Sequence, residues 1–213
     1  MQVSELVAAS GVPLATVKYY LREGLLPSGR RITARSSDYG PVHLRRLALL
    51  RILRDVGAIP VQRLRELVEA VETPRLSVHE MFARASDAIA AGARRDQESA
   101  LVPSPEAAAM VDAVLHTMGW RHVRPEAVDL ENLRRVVSQL LATGLFGLDE
   151  EGLAFYARVA DQLARAEIAA LPEDHDRAAH LERMVVGTVA FGEILAILRR
   201  LAEEEHSAGR FAS

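Results

Sequence analysis

Eight side chains between positions 16 and 35 stand out as candidates to bind phosphate. They are the hydroxyls of Thr16, Tyr19 and Tyr20, the ammonium of Lys18, and the guanidinium groups of Arg22, Arg30, Arg31 and Arg35. Hydroxyls and guanidinium groups donate hydrogen bonds to phosphate oxygens, a guanidinium through two parallel N–H groups. An ammonium acts instead as a compact point charge. Lys18 is the only lysine of the chain, every other basic side chain apart from histidine being arginine. Such donors position a nucleic-acid backbone, whereas reading a base needs a side chain that reaches a groove edge.

The first five fall on a stretch that reads as the second helix of a helix-turn-helix. Gly11 supplies the tight turn, Pro13 sits where a missing N–H costs nothing at a helix start, and Gly24 ends the helix. The helix between them is short, on the order of ten residues. A first helix over 4–10 packs Leu6 and Val7, with Val12, against Val17 and Leu21. Two short helices joined in this way lay the second in the DNA major groove. Residues 27–38 carry Gly29, three arginines and small polar residues with no helical period, which makes them a loop flanked at most by short strands.

An ordered series of motifs runs through Val3-Ser4-Glu5-Leu6, Gly11-Val12, Thr16-Val17-Lys18-Tyr19-Tyr20 and Glu23-Gly24-Leu25-Leu26-Pro27. It continues through Asp38-Tyr39-Gly40, Leu44-Arg45-Arg46-Leu47, Leu50-Arg51-Ile52-Leu53-Arg54 and Gly57-Ala58-Ile59-Pro60. This series resembles the N-terminal winged-helix domain of the MerR family of bacterial transcription regulators, over about a third of the chain. In that family the Tyr-Tyr pair and nearby basic residues approach the DNA backbone, and a basic loop forms the wing. The resemblance therefore implies Thr16, Lys18, Tyr19 and Tyr20 in the helix and Arg30, Arg31 and Arg35 in the wing as DNA contacts. Two positions depart from the family: Ala15 and Ser37 stand where many members have a basic residue and an arginine. Arg22 and Arg35 are the candidates to replace those contacts. Lys18, Tyr19, Tyr20 and the wing arginines are assigned to phosphates, Thr16 and Arg22 to base edges, and Lys18→Ala and Tyr20→Phe are expected to weaken binding on every DNA sequence.

Charge is distributed to match. Residues 1–75 hold 12 Lys and Arg against 7 Asp and Glu, while the remainder holds 14 against 22. A basic head and an acidic body lie beneath a formal net charge of −3, which suits one part that meets phosphate and another that does not. An apolar fraction of 49% with 26% charged residues is that of a globular protein. No run is long and apolar enough to span a bilayer and no signal segment is present, so the cytoplasm is the expected location, with no membrane partner. The absence of cysteine removes disulfides, thiolate metal sites and thiol redox switches.

Downstream, apolar residues recur at helical spacing over 41–56 and over 61–71, with Gly57 and Pro60 between. Residues 76–102 form a connecting helix with Val78, Phe82, Ala85 and Ile89 on one stripe. A helix at this place pairs antiparallel with its partner in the resembling family, but two apolar heptads are short for an independent coiled coil. Residues 103–213 are expected to form an all-helical ligand-binding and dimerisation domain, with helices over 106–118, 129–143, 149–171 and 176–205. Its long last helix carries Val185, Thr188, Val189, Gly192 and Leu195, which are assigned to a dimer interface. Residues 185–211 also resemble, by pattern alone, the C-terminal helix with which TetR-type regulators build a four-helix dimer interface.

Within that domain His116, Trp120, Phe146, Phe155 and Tyr156 are the candidates to line a site for a flat organic effector. Ordinary core packing accounts for each of them singly. Asp112 with His116, and Asp174, His175, Asp176 and His180, offer oxygen and nitrogen ligands, but an acidic helix start explains the second group without a metal. No metal, cofactor or catalytic residue is assigned, and no phosphate loop, nucleophile elbow or zincin motif argues for an enzyme.

The expected architecture is therefore all-α: a winged helix-turn-helix over 1–75, a connecting helix over 76–102 and a helical domain over 103–213. The expected function is a homodimeric regulator on a pseudo-palindromic, double-stranded promoter site, with a small organic effector and RNA polymerase as further partners. Two other classes fit the same sequence: a ligand-free architectural or protein-interaction module, and a drug-sequestering binder.

Overall fold

The protein was analysed as a computed structural model that describes residues 1–33, 36–72, 76–93, 102–144, 147–171 and 177–211. Among the described residues the regular structure is helical apart from one two-stranded antiparallel sheet. In order come α1 (Val3–Ser10), α2 (Leu14–Arg22), β1 (Arg30–Arg31), β2 (Ser37–Asp38), α3 (Pro41–Asp55), α4 (Val61–Glu72) and α5 (Val78–Ala93). Then follow α6 (Pro105–Met118), α7 (Val128–Thr143), α8 (Glu150–Ala169), α9 (Arg177–Val186), a π-helical turn (Gly187–Phe191) and α10 (Gly192–Phe211). Among the described residues no helix is long and apolar enough to cross a membrane.

The local chemistry explains the boundaries. α1 is closed by Gly11 at φ 66°, whose N–H returns to the Val7 carbonyl, a left-handed end that glycine adopts without a Cβ clash. Pro13 stands before α2 with extended φ and ψ, and Gly24 at φ 71° turns the chain out of it. Leu25 and Leu26 then plug the core beneath, both N–H groups donating to the Tyr20 carbonyl. In the other part of the chain the Ser104 hydroxyl caps α6 and the Asp149 carboxylate caps α8, each accepting from a backbone N–H three residues on.

Two compact units result, Met1–Ala93 with Asp176–Ser213 and Arg94–His175. In the first, α1 to α5 share one core that includes Leu6, Val17, Tyr20, Leu47, Leu50, Leu53, Leu64, Met81 and Ala85. Val185 and Val189 belong to that same core, and α9 packs on α3, α4 and α5. In the second unit α6 packs on α7 and α8 around Ala107, Val111, Val114, Leu130, Val137, Leu153 and Ala154.

This partition corrects the boundary expected at 103. Residues 177–211 fold with the N-terminal helices, because the apolar side of α9 is covered there. At the contact, the backbone of Gly57 lies so close to Val189 that an added Cβ would stand 2.8 Å from Val189 Cγ1 and 2.8 Å from the Leu53 carbonyl. Val185 and Val189, at 1% and 7% exposure, are therefore internal and not a dimer surface. Thr188, Gly192 and Leu195 of the same set are exposed.

Candidate nucleic-acid interface

α2 has two faces that its helical period separates cleanly. Val17 and Tyr20 point into the core, at 0% and 2% exposure. Ala15, Lys18 and Arg22, spaced three and four apart, are exposed together on the opposite side, with Tyr19 and Thr16 half-buried at its margins. Leu14, 42% exposed, extends this face at the N-terminal end. The face presents one ammonium, one guanidinium, two hydroxyls and two small apolar groups.

The charged groups are not held alike. Among the described residues no hydrogen bond or ion pair engages the Lys18 ammonium, which leaves it available to an anion. Arg22 is ordered on both sides: its guanidinium carbon lies 5.2 Å from the Tyr19 ring centroid, and Nε donates to Glu23 Oε1 at 3.4 Å. The other Glu23 oxygen accepts from Arg65 Nη2 of α4 at 2.7 Å, which anchors Glu23 and, through it, Arg22. The two tyrosines stand 6.1 Å apart at 50°.

The wing is a hairpin with Arg30 opposite Asp38 and Arg31 opposite Ser37. The N–H groups of Ile32 and Thr33 both donate to the Ser36 carbonyl and tighten its tip. Gly29 is required where it stands, since a Cβ there would meet the Asp38 carbonyl at 2.8 Å. Asp38 ties the hairpin to the start of the chain. Its Oδ1 accepts from the Met1 ammonium at 2.6 Å and its Oδ2 from Arg30 Nη2 at 3.2 Å. The hydrogen bond from that ammonium, its charge and then Arg30 hold the Asp38 carboxyl below the usual carboxylate range. Both Arg30 and Arg31 remain exposed, the Arg30 side chain at 82%.

The structure thus brings Lys18, Tyr19, Arg22 and Thr16 onto or beside one face of α2 and leaves Arg30 and Arg31 exposed on the wing. Arg35 lies outside the described residues. Tyr20 is a correction: its ring fills the core between α2 and α3, and its hydroxyl accepts from Arg54 Nη1 at 3.4 Å. A motif that names adjacent tyrosines does not distinguish them, whereas a turn of 100° per residue does. Sequence reasoning did not assign Leu14, Ala15 or Glu23. The first two share the exposed face by period alone, and apolar groups there can meet a thymine methyl.

The described effector candidates of the second unit do not form an enclosed set. Phe155 and Tyr156 are 57% and 53% exposed, with their rings edge to face at 5.7 Å, and His116 is exposed. Phe146 lies outside the described residues. Trp120 has a built environment: Nε1 donates to Asp161 Oδ1 at 2.9 Å, and Asp161 Oδ2 accepts from Arg165 Nε at 2.6 Å. The hydrogen bond from Arg165 and then that from Trp120 hold the Asp161 carboxyl below its ordinary range. Among the described residues no group of three or more His, Asp and Glu could hold a metal ion, and 172–176 lie outside them.

Comparison with known proteins agrees with this geometry. A family model described as MerR HTH family regulatory protein matches residues 1–71, the span of the helix-turn-helix, wing and following helices. No curated protein matches the chain. The crystal structure of SCO5550, a candidate transcriptional regulator from Streptomyces coelicolor A3(2), is 32% identical in sequence. The similarity covers 100% of this chain and 99% of that one, with a TM-score of 0.79. With its helix-turn-helix, its basic hairpin wing and a relative alike from end to end, the chain belongs to the MerR family of helix-turn-helix regulatory proteins, which regulate transcription by binding DNA.

Proposed function

We propose that this regulator binds a pseudo-palindromic promoter site as a homodimer in the cytoplasm and answers to a small organic effector in its second unit. The observation that carries the DNA-binding part is the exposed face of α2, where Lys18, Tyr19, Arg22 and Thr16 stand opposite the buried Val17 and Tyr20. Lys18 and the wing arginines hold phosphates, and Arg22, fixed over Tyr19, reaches base edges with Thr16 at the margin. Phosphate contacts supply position and affinity, and the base contacts supply sequence preference. RNA polymerase is the machine such a bound dimer would help or hinder, and distortion of the promoter is one physical route.

The effector part is supported by Trp120, whose indole is fixed by Asp161 and Arg165, and by the exposed aromatic pair that α8 carries. An effector can shift the two DNA-binding heads only by differing in affinity between their arrangements. The test is a footprint of the full chain on promoter DNA. Two protected half-sites about 10 base pairs apart, or a multiple of that, are expected for a two-fold dimer. A single protected site, or protection that is uniform along the duplex, would refute the dimeric reading.

A further inference from the structure

The end of the π-helical turn and α10 carry an apolar seam that none of the described residues of the first unit covers. Phe191, Ile194, Leu198 and Leu201, spaced three, four and three residues apart, are 52%, 49%, 56% and 56% exposed. Leu195 and Ile197 flank them at 44% and 42%. This spacing is the a/d pattern of a coiled coil. The preceding turns do not share this exposure: Val185 and Val189 are buried in the unit's own core, so the seam begins where the chain leaves that core. The helix that pairs subunits in the resembling family is not free to do so through its buried side here. Met81 and Ala85 of α5 are fully buried and Ala88 nearly so, and α5 packs on α4 and α9.

Charge indicates what covers the seam. Three consecutive acids, Glu203, Glu204 and Glu205, follow it directly. A parallel, in-register pair of α10 helices would bring these two runs face to face. An antiparallel pair centred on Ala196 would place Phe191 against Leu201 of the second copy, and Ile194 against its Leu198. The two Glu204 side chains would then be sixteen residues apart along the axis, about 24 Å. That exceeds the screening length of about 8 Å at physiological salt. Each glutamate run would also lie level with residues 187–189 of the other copy, about 6–9 Å along the axis from its exposed Arg183. The antiparallel orientation thus separates the two acidic runs, whereas the parallel one brings like charges together.

We propose that the face formed by Phe191, at the end of the π-helical turn, and by Ile194, Leu198 and Leu201 of α10 is the self-association seam of this protein, occupied by the same face of a second copy running antiparallel. The proposal rests on the homodimeric reading above and specifies its surface and orientation.

The chain has no cysteine, so a single substitution introduces the only thiol. Full-length Phe191→Cys and Leu201→Cys are expected to form a disulfide-linked dimer when co-expressed and oxidised. Each alone is expected to stay uncrosslinked, because identical positions lie about 15 Å apart along the axis, against about 4–7 Å between Cα atoms in a disulfide. Cross-linking of each variant with itself would overturn the antiparallel seam, and so would an absence of cross-links in the mixture. Leu198→Glu, which alters an exposed side chain, is expected to weaken self-association about a hundredfold or more in analytical ultracentrifugation with helix content unchanged. Unchanged association of that folded variant would also refute the seam. A footprint on the same preparations separates this proposal from the function above. Two protected half-sites without the mixed cross-link refute the seam alone, and the mixed cross-link with no protected DNA refutes the DNA reading alone.

Discussion

Replacing Lys18 by alanine removes the one lysine ammonium of the chain from the centre of the exposed α2 face without touching the core beneath it. If that ammonium neutralises one phosphate per head, the variant releases one counterion fewer per head. The slope of log affinity against log salt then becomes shallower by about 0.9 per head, or about 1.8 for a dimer. Between 50 and 200 mM salt, the factor by which wild type outbinds Lys18→Ala should fall about twelvefold for the dimer. Fluorescence anisotropy of a labelled duplex, titrated at four or five salt concentrations, measures both slopes directly. The loss should be similar on every duplex, because a phosphate contact carries no base information. An unchanged slope with an altered ranking of duplex sequences would refute the assignment and move Lys18 to a base edge.

Three further outcomes test other parts of the account. Gly57→Ala forces a Cβ to within 2.8 Å of a backbone carbonyl and of Val189, so urea unfolding should show a loss of about 1–3 kcal/mol; an unchanged midpoint would refute the close docking of the π-helical turn. Ala58 is exposed with φ 49°, a conformation that costs an L-residue about 1–2 kcal/mol, while glycine adds about 0.4–1 kcal/mol of unfolded-chain entropy. Ala58→Gly should therefore stabilise the protein by roughly 0.5–1 kcal/mol in the same assay, and a destabilisation would contradict the strain. Asp161 has its folded pKa depressed, so its bonds to Arg165 and Trp120 contribute stability above the unfolded value of about 3.9 and lose it as pH falls through the lower folded value. The emission of Trp120, the single tryptophan, should change in the acid range below about pH 4, and Asp161→Asn should abolish that transition.

Much of the head was legible in the sequence because its constraints are local. Gly11, Pro13 and Gly24 each meet a backbone need that few other residues meet, and they bracket α2 to within a residue or two. The helical period of α2 also contains the burial of Tyr20, since positions 17 and 20 share a face that 15, 18 and 22 do not. Carrying the Tyr-Tyr motif over as a pair concealed this.

What local pattern does not contain is the destination of an apolar stripe. The stripe through Val185 and Val189 is plain in the sequence, yet that it meets Gly57, about 130 residues earlier, follows only from the packing. The same limit hid the bond from Trp120 to Asp161, 41 positions apart. Along the chain the two units meet after Ala93 and again after His175, whereas the sequence reading ran one domain from 103 to the end because it had no signal for which unit the last apolar stripe joins.

The central claim is sequence-specific binding of duplex DNA by the α2 face and the wing, and selection from a random-sequence duplex pool tests it most directly. Full-length protein should enrich a two-fold motif with half-sites about 10 base pairs apart or a multiple of that, and Arg22→Ala should shift the enriched bases within each half-site. Recovery of a pool no different from the starting mixture, at salt concentrations where the protein still binds DNA, would contradict the claim.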